Sequence, residues 1–340
     1  MPRKFAWASP PDEELLQLRF KDLGVSVEGT WLENCVDLLR AELDQRGLRV
    51  RPHAWISEEW FSPNCTPGIA IPFYLAHPRL ARLERRQILE VEGGSRKECL
   101  RILRHEAGHV VQSAYRLHRR HRWRQLFGSS STRYPEYYRP NPASRDFVQH
   151  LRLWYAQGHP DEDFAETFAV WLRPRADWRK RYAGWPALQK LEYVDELMGE
   201  IADETPVRQR RILVDPISRL TTTLTEHYDR KRAFYAIASP TPYDKDLRRI
   251  FSDAPKDRGA PAASTFLRRN RIRIRQIVST WTEEHPLTLD SLLDDMIDRC
   301  RKMNLRAVGP ERRLQADFTV LFTARAIHSL YTKRRRWFAL

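Results

Sequence analysis

The chain has 340 residues, of which 41% are hydrophobic and 30% are charged, and its formal net charge at pH 7 is +15. This composition excludes a wholly disordered polypeptide and is typical of one large or two ordinary folded domains. The excess of positive charge favours contact with polyanions such as nucleic acid, or with acidic proteins, although a solvated basic surface produces the same balance.

The cysteines and the apolar runs indicate the compartment. The four cysteines are scattered and form no C-x-x-C pair, which argues against a disulfide framework and against a cysteine zinc site: Cys35, Cys65, Cys99 and Cys300. Residues 1–7 lack the apolar core of a signal peptide, and no apolar run reaches the length of a membrane span. The sequence therefore predicts a cytoplasmic protein with reduced thiols and no membrane contact.

The first part of the chain predicts a helix and a small sheet. Apolar residues recur at helical spacing over residues 31–43, and short extended pieces follow. Residues 68–75 read as a strand that contains Pro72. Because proline cannot donate to a ladder, this strand should lie at a sheet edge or end near Pro72. An edge strand here could pair with an extended peptide.

A central helix is predicted to begin at residues 95–98, where Ser-x-x-Glu forms a capping box after two glycines. Two to three turns further on it contains His105-Glu106-Ala107-Gly108-His109. His105 and His109 are four residues apart, so both imidazoles stand on one helical face and can reach one tetrahedral zinc, with Glu106 beside them. The alternative is an ordinary helix that carries two unrelated histidines.

A polar, aromatic loop is predicted over residues 128–142. Loops of this length inside a compact domain are more often functional than idle. Its tyrosines could line a substrate cleft or simply pack the loop: Tyr134, Tyr137 and Tyr138. In the basic segment before it, His118 and His121 are expected to be solvated.

The third zinc ligand is expected from an acidic helix over residues 161–172, which follows His159-Pro160. Glu162 and Glu166 are four residues apart and share one face of this helix. One could ligate the metal while the other hydrogen-bonds the free ring nitrogen of a ligating histidine, and spacing alone leaves the two roles exchangeable. Apolar residues among the acids indicate a packed helix rather than a solvated acidic face.

The best candidate for a domain boundary is residues 203–206. It divides the chain into residues 1–204, with an N-terminal sheet and helix part (1–92) and zinc-binding helices (95–200), and a basic helical region of unknown role, 205–340. Residues 289–300 form a clean amphipathic helix. Arginines crowd residues 268–275 and 333–336. Solvated helix faces explain most such runs, but the apolar residues among these arginines keep contact with a polyanion or nucleic acid as an expectation: Ile272, Ile274 and Trp337.

Together these motifs resemble the putative zinc-binding metallopeptidases of bacteria. The resemblance is carried by the His-Glu-Ala-Gly-His run of residues 105–109, by Tyr155, and by the His-Pro-Asp-Glu-Asp-Phe-Ala-Glu-Thr run of residues 159–167. More distantly, the chain is similar to the catalytic domain of anthrax lethal factor, which has an aromatic residue where this chain has Asp163. The resemblance covers roughly residues 95–172 and does not extend to residues 206–340.

The resemblance implies a gluzincin: a zincin-like core, one zinc ion and a protein or peptide substrate. It makes Glu162 the third ligand and Glu166 the partner of a ligating histidine, with Asp163 in a similar supporting position. It also matches Tyr155 to a tyrosine that donates to the oxyanion. The pattern of elements agrees with an α+β fold that is predominantly helical, with a small N-terminal sheet and a helical C-terminal region.

The sequence therefore predicts a zinc-dependent metallopeptidase that hydrolyses peptide bonds through a zinc-bound water activated by Glu106. The alternative is a non-catalytic protein, associated with nucleic acid or acting as a scaffold, whose zinc site is structural or vestigial. The two hypotheses differ in their expectation for Glu106: hydrolysis requires this residue, whereas a non-catalytic protein does not.

Overall fold

The computed structural model describes residues 5–135, 137–138, 140–235, 244–332 and 335–336. Helices dominate these residues, and a small parallel sheet lies near the N-terminus, which confirms the α+β, predominantly helical fold. None of the described helices combines the length and the apolar character that a membrane crossing requires.

The chain forms two compact units. The first contains the described residues of 1–85, 91–226 and 335–340, and the second those of 86–90 and 227–334. Residues after the predicted boundary at 203–206 remain with the first unit because they bond back to its early residues. The indole of Trp55 donates to the Val214 carbonyl at 2.9 Å, and the amide of Phe20 donates to Thr222 at 3.0 Å. Whether the chain folds as two independent domains divided after Glu204 stays a prediction.

The first unit is built from the following elements: α1 (Asp12–Leu16), α2 (Trp31–Gln45), β1 (His53–Ser57), β2 (Gly68–Pro72), α3 (Pro78–Ile88, whose last turn belongs to the second unit), α4 (Arg96–Ala114), α5 (His121–Phe127), β3 (Tyr137–Tyr138), α6 (Pro160–Leu172), α7 (Trp178–Arg181), α8 (Ala187–Glu200) and β4 (Arg335–Arg336). The second unit is built from α9 (Leu224–Tyr235, which begins in the first unit), α10 (Asp244–Ile250), α11 (Ala263–Thr282), α12 (Pro286–Lys302) and α13 (Glu311–Thr332). Strands β3 and β4 pair antiparallel.

The parallel pair of β1 and β2 is the N-terminal sheet, with a register that runs from His53 opposite Gly68 to Ser57 opposite Pro72. Pro72 is the last residue of β2, as its missing donor predicts, and a 3₁₀ turn replaces the rest of the expected strand. On the side away from β1, the amide of Ala70 donates to the carbonyl of Phe61 at 2.9 Å. The outward-facing amide of Ala70 is therefore already paired, and the pairing of a peptide substrate with the rest of β2 stays a prediction.

Helix α4 begins where the capping box predicts. The Ser95 hydroxyl accepts a hydrogen bond from the Glu98 amide at 3.3 Å and bonds to the Glu98 carboxylate at 3.1 Å. One face of α4 packs on α2, where Arg104 makes two hydrogen bonds to the carboxylate of Glu42 at 2.6 and 2.7 Å. Helix α4 also packs against α6, so it contacts both α2 and α6.

Gly108 allows α4 and α6 to approach closely. A Cβ atom at this position would lie 2.7 Å from the Cα of Ala165, a separation that real Cβ atoms do not adopt. Helix α6 is buried at every position from Asp161 to Leu172. This confirms the prediction that the acidic helix packs against other elements, and it places the acids of α6 opposite the histidines of α4.

The second unit has its own apolar core. The amphipathic helix predicted over residues 289–300 is α12, and its buried residues are those of the predicted stripe: Leu289, Leu292, Leu293, Met296, Ile297 and Cys300. Arg271 and Arg275 of α11 pair with Asp290 of α12, each at 2.5–2.7 Å. Since these two arginines are paired and Ile274 is a core residue, the predicted polyanion contact loses part of its basis, although Ile272 is 62% exposed. Trp337 lies outside the described residues.

Candidate metal centre

Three predicted residues meet between α4 and α6. The Nε2 atoms of His105 and His109 are 3.2 Å apart, and Oε2 of Glu162 lies 3.0 Å from the former and 3.2 Å from the latter. Within the part of the chain that the structure describes, this is the one cluster of histidine, cysteine and acidic residues with metal-binding spacing. Two side chains of α4 and one of α6 thus direct their ligating atoms to a single point.

The donor atoms of the cluster fit a zinc ion. Four nitrogen or oxygen ligands at about 2.0–2.1 Å around tetrahedral zinc are roughly 3.3 Å from one another. The separations of 3.0 and 3.2 Å in this cluster are close to that value. Two imidazoles and one carboxylate are also a ligand set of catalytic zinc sites, in which the fourth position is left for water or substrate.

The electrostatics of the cluster favour bound positive charge. Burial alone would disfavour the imidazolium of His105, but its hydrogen bonds to Glu162 and Glu166 and their charges outweigh burial and raise its pKa to about 10. The pKa of His109 is raised in the same way, against burial, by Glu162. Burial opposes ionisation of Glu162, yet the two histidines hold its pKa well below the ordinary value. Because the carboxylates of this buried site stabilise positive charge on the imidazoles, they also favour a bound metal cation.

Glu166 holds the ring of His105 from the other side. Its Oε1 atom accepts a hydrogen bond from Nδ1 of His105 at 2.9 Å, and its Oε2 atom accepts one from the amide of Leu151 at 2.7 Å. With Nδ1 as the donor, the lone pair of the neutral ring is on Nε2, the atom that faces Glu162. Of the two acids whose roles spacing left exchangeable, Glu162 faces the Nε2 atoms and Glu166 supports the ring.

Glu106 is buried, with 1% of its surface exposed, and neither of its carboxylate oxygens has a hydrogen-bond partner among the described residues. Leaving a buried carboxylate without a partner is unfavourable in a folded protein. Its neighbour along the chain, His105, is part of the cluster. The carboxylate of Glu106 could therefore accept a hydrogen bond from a bound water molecule or from a substrate.

Tyr155 packs against the cluster from a strained segment. Its ring centroid is 5.5 Å from that of His105, at an interplanar angle of 67°. The two preceding residues, Leu153 and Trp154, both adopt left-handed backbone conformations, with φ of 64° and 55°. Such conformations are costly for residues with a Cβ atom and occur often at functional sites. The backbone of this segment therefore fixes Tyr155 beside His105.

Asp163 is not brought to the histidines. Its carboxylate pairs with Nζ of Lys190 in α8 at 2.6 Å, and the same Nζ bonds to the Asp146 carbonyl at 2.7 Å. Burial raises the pKa of Asp163 to about 7 in spite of Lys190. The supporting position that the resemblance implied for Asp163 is thus a link between α6 and α8. His118 and His121 do not join the cluster either.

Two residues make contacts that the sequence does not predict. Tyr134, for which the sequence leaves a cleft position and a packing position open, donates its hydroxyl to Oε1 of Glu162 at 2.9 Å. His159, which directly precedes the predicted acidic helix, is the N-cap of α6, and its Nδ1 accepts from the Asp161 amide at 3.1 Å. A histidine directly before Pro and an acidic first turn was the available signal for the cap. The Tyr134 contact had no sequence signal beyond the length of its loop.

Residues 82–197, about a third of the chain, match the model of a family described as putative zinc-binding metallo-peptidase. The matched segment includes His105, His109, Tyr155, Glu162 and Glu166. No curated protein and no solved structure matches the chain. The family match supports a metallopeptidase function at the coarse level.

Proposed function

We propose that this protein is a gluzincin-type zinc metallopeptidase that cleaves peptide bonds in protein or peptide substrates. The main support is the triangle of His105 Nε2, His109 Nε2 and Glu162 Oε2, with sides of 3.0 and 3.2 Å. The helix of the two histidines also carries Glu106, whose carboxylate has no hydrogen-bond partner among the residues that the structure describes. The family match over residues 82–197 supports the same function. The four unpaired cysteines support a cytoplasmic location.

His105, His109 and Glu162 would hold one zinc ion. When bound, zinc supplies Lewis acidity, which lowers the pKa of a water molecule and polarises a carbonyl group. The chain's own contribution is to hold two imidazoles, which would lose their Nε2 protons when the metal binds, and one carboxylate oxygen in a preset arrangement. Glu166 secures that arrangement because its bond to Nδ1 of His105 fixes the tautomer and the ring plane.

Glu106 is the proposed general base. Its buried carboxylate has no hydrogen-bond partner within the described part of the chain, so it can accept a proton from the attacking water and deliver it to the leaving amine. Tyr155 is the proposed donor to the carbonyl oxygen, on which negative charge develops as the water attacks. Its packing on His105 and the two left-handed residues before it support a preset position for the ring.

The proposal is tested by replacing Glu106 with Gln and measuring zinc content together with hydrolysis of a fluorogenic peptide library. Because Glu106 is not among the three proposed ligands, Glu106→Gln should still bind one zinc per chain. Its rate of peptide hydrolysis should be about 10²–10⁴-fold lower than that of wild type. Glu98→Gln makes the same change in the first turn of α4, where Gln also suits the capping box, and should retain the wild-type rate. Equal rates in wild type and Glu106→Gln would overturn the mechanism. Bound zinc without hydrolysis in any variant would favour the non-catalytic alternative.

A further inference from the structure

The segment of residues 128–134 lies along the first turn of α6. The hydroxyl of Ser130 donates to the carboxylate of Asp161 at 3.1 Å, and the carbonyl of Thr132 accepts from Nε2 of His159 at 2.8 Å. Asp161 in turn accepts from Gln112 of α4 at 2.7 Å. The segment is therefore bonded to the helix that carries Glu162, and that helix is bonded to the one that carries both histidines.

His159 forms a rigid base within this network. It is 3% exposed, and both of its ring nitrogens are engaged: Nδ1 accepts from the Asp161 amide and Nε2 donates to Thr132. These two bonds fix the plane of the ring. The ring of Tyr134 stacks on it with centroids 3.7 Å apart and an interplanar angle of 11°. Although 41% of Tyr134 is exposed, its ring is thus held in one orientation.

The stacking directs the hydroxyl of Tyr134 to Glu162. It donates to Oε1 at 2.9 Å, whereas the other oxygen, Oε2, faces the Nε2 atoms of His105 and His109. The two oxygens of the carboxylate are therefore assigned to different partners. We propose that Tyr134, held by His159, is a positioning residue that fixes the carboxylate of Glu162 so that a single oxygen is presented to the metal.

This inference rests on the proposed zinc site but not on hydrolysis. A carboxylate that rotates freely loses conformational entropy when the metal binds. It can also present either one or both of its oxygens to the metal. A hydrogen bond to one oxygen prevents the rotation and leaves only the other oxygen for the metal. Outer partners of this kind typically alter metal affinity by about 10–100-fold when they are lost. The site should accordingly bind zinc more weakly without the Tyr134 hydroxyl.

The experiment measures the zinc dissociation constant of the full chain by competition with a chromophoric chelator. Tyr134→Phe removes only the hydroxyl and should raise the constant about 10–100-fold. Tyr138→Phe is the matched control, because the Tyr138 hydroxyl donates to the Leu153 carbonyl at 3.0 Å rather than to a proposed ligand, and it should leave zinc binding unchanged. His159→Asn keeps a capping side chain but removes the stacked ring, so it should give an intermediate increase.

Unfolding in excess EDTA separates positioning from stability. A positioning role predicts that, when metal is absent, Tyr134→Phe still unfolds in one cooperative transition, at a denaturant concentration lowered by no more than the loss of its hydrogen bond to Glu162 accounts for. Wild-type zinc affinity in Tyr134→Phe would overturn the inference, and a loss of hydrolysis alone in that variant would assign Tyr134 to substrate instead. Wild type that binds zinc but cleaves no peptide would refute the peptidase proposal and leave this inference standing, whereas absence of zinc binding in wild type would overturn both.

Discussion

His105 donates from Nδ1 to the carboxylate of Glu166 at 2.9 Å, and both side chains are 1% exposed. The contact joins α4 to α6. Since the second oxygen of Glu166 accepts from the Leu151 amide, the same carboxylate also ties the segment before Tyr155 to the cluster. One acid therefore orients a proposed ligand and anchors the backbone that leads to a proposed catalytic residue.

Replacement of Glu166 by Gln should weaken zinc binding about 10–100-fold. An amide can accept from only one of the two donors that face Glu166, since its nitrogen would meet the other donor. His105 or Leu151 would then lose its partner. The measurement is the zinc dissociation constant by chelator competition, with the unfolding midpoint in EDTA as a check on folding.

Asp163→Asn is the matched control for this prediction, because it makes the equivalent change in the same buried helix. It breaks the ion pair with Lys190 and should lower the free energy of unfolding by about 1–3 kcal/mol while zinc affinity stays near that of wild type. If Asp163→Asn weakened zinc binding as much as Glu166→Gln, the effect would belong to the helix as a whole rather than to the His105 contact.

Gly108→Ala should destabilise the protein by about 1–3 kcal/mol, since the added Cβ would lie 2.7 Å from the backbone of Ala165 and the two helices would have to shift apart. Separation of α4 from α6 would also move Glu162 away from the histidines, so zinc affinity should fall in parallel. Urea unfolding and chelator competition measure the two effects.

Gly199→Ala in α8 provides the control, because among the described residues no atom outside the local backbone of α8 lies within 4 Å of the Cβ position there. This substitution should be neutral or stabilise the protein by about 0.5–1 kcal/mol, the usual difference between Ala and Gly in a helix. A Gly108→Ala variant as stable as Gly199→Ala would contradict the close approach of the two helices.

The parts of the site that the sequence could predict are those set by local rules. The capping box at Ser95 fixes where α4 begins, and a spacing of four places His105 and His109 on one face, so both features follow from residues close together in the chain. The packing of the acidic helix was also predictable, because apolar residues alternate with its acids. No long-range contact was needed for any of these.

The parts that could not be predicted depend on contacts between distant segments. Tyr134 reaches Glu162 only because His159, through its cap on α6, holds residues 128–134 against that helix. The pairing of Phe61 with Ala70 likewise occupies the outward-facing amide of Ala70 in a way that the proline pattern does not reveal. Asp163 was assigned by resemblance, and its partner Lys190 is 27 residues further along the chain.

Removal of metal should destabilise the wild-type protein. A ligand that binds only the native state adds about 4 kcal/mol of stability when its free concentration is 1,000 times its dissociation constant, so EDTA should lower the unfolding temperature of the zinc-loaded protein. His109→Ala removes one proposed ligand, and its unfolding temperature should be the same with zinc and with EDTA. Calorimetry of both proteins measures the difference. An EDTA effect of equal size in His109→Ala would place the bound zinc elsewhere.

The stability of the metal-free protein should decrease as the pH falls from about 6.5 to 4 because of His150. Its Nε2 atom donates to the Arg101 carbonyl at 2.9 Å, and burial lowers its pKa to about 4 although the charge of Glu166 opposes the shift. The unfolded chain binds a proton at this position near pH 6.5, before the folded chain does. The contribution of a neutral His150 is therefore complete above pH 6.5 and is lost as the pH approaches 4, by about 2–3 kcal/mol.

His150→Gln isolates this effect, because the glutamine amide can still donate to the Arg101 carbonyl but does not titrate. Denaturant unfolding of both proteins in EDTA, at pH steps between 7 and 4, cancels the titration of His105, His109 and their acidic partners, which the two chains share. The free energy of unfolding should fall more steeply with decreasing pH in wild type than in His150→Gln. Parallel curves over this interval would mean that His150 binds its proton equally well in the folded and unfolded chains, and the burial argument for its low pKa would then be incorrect.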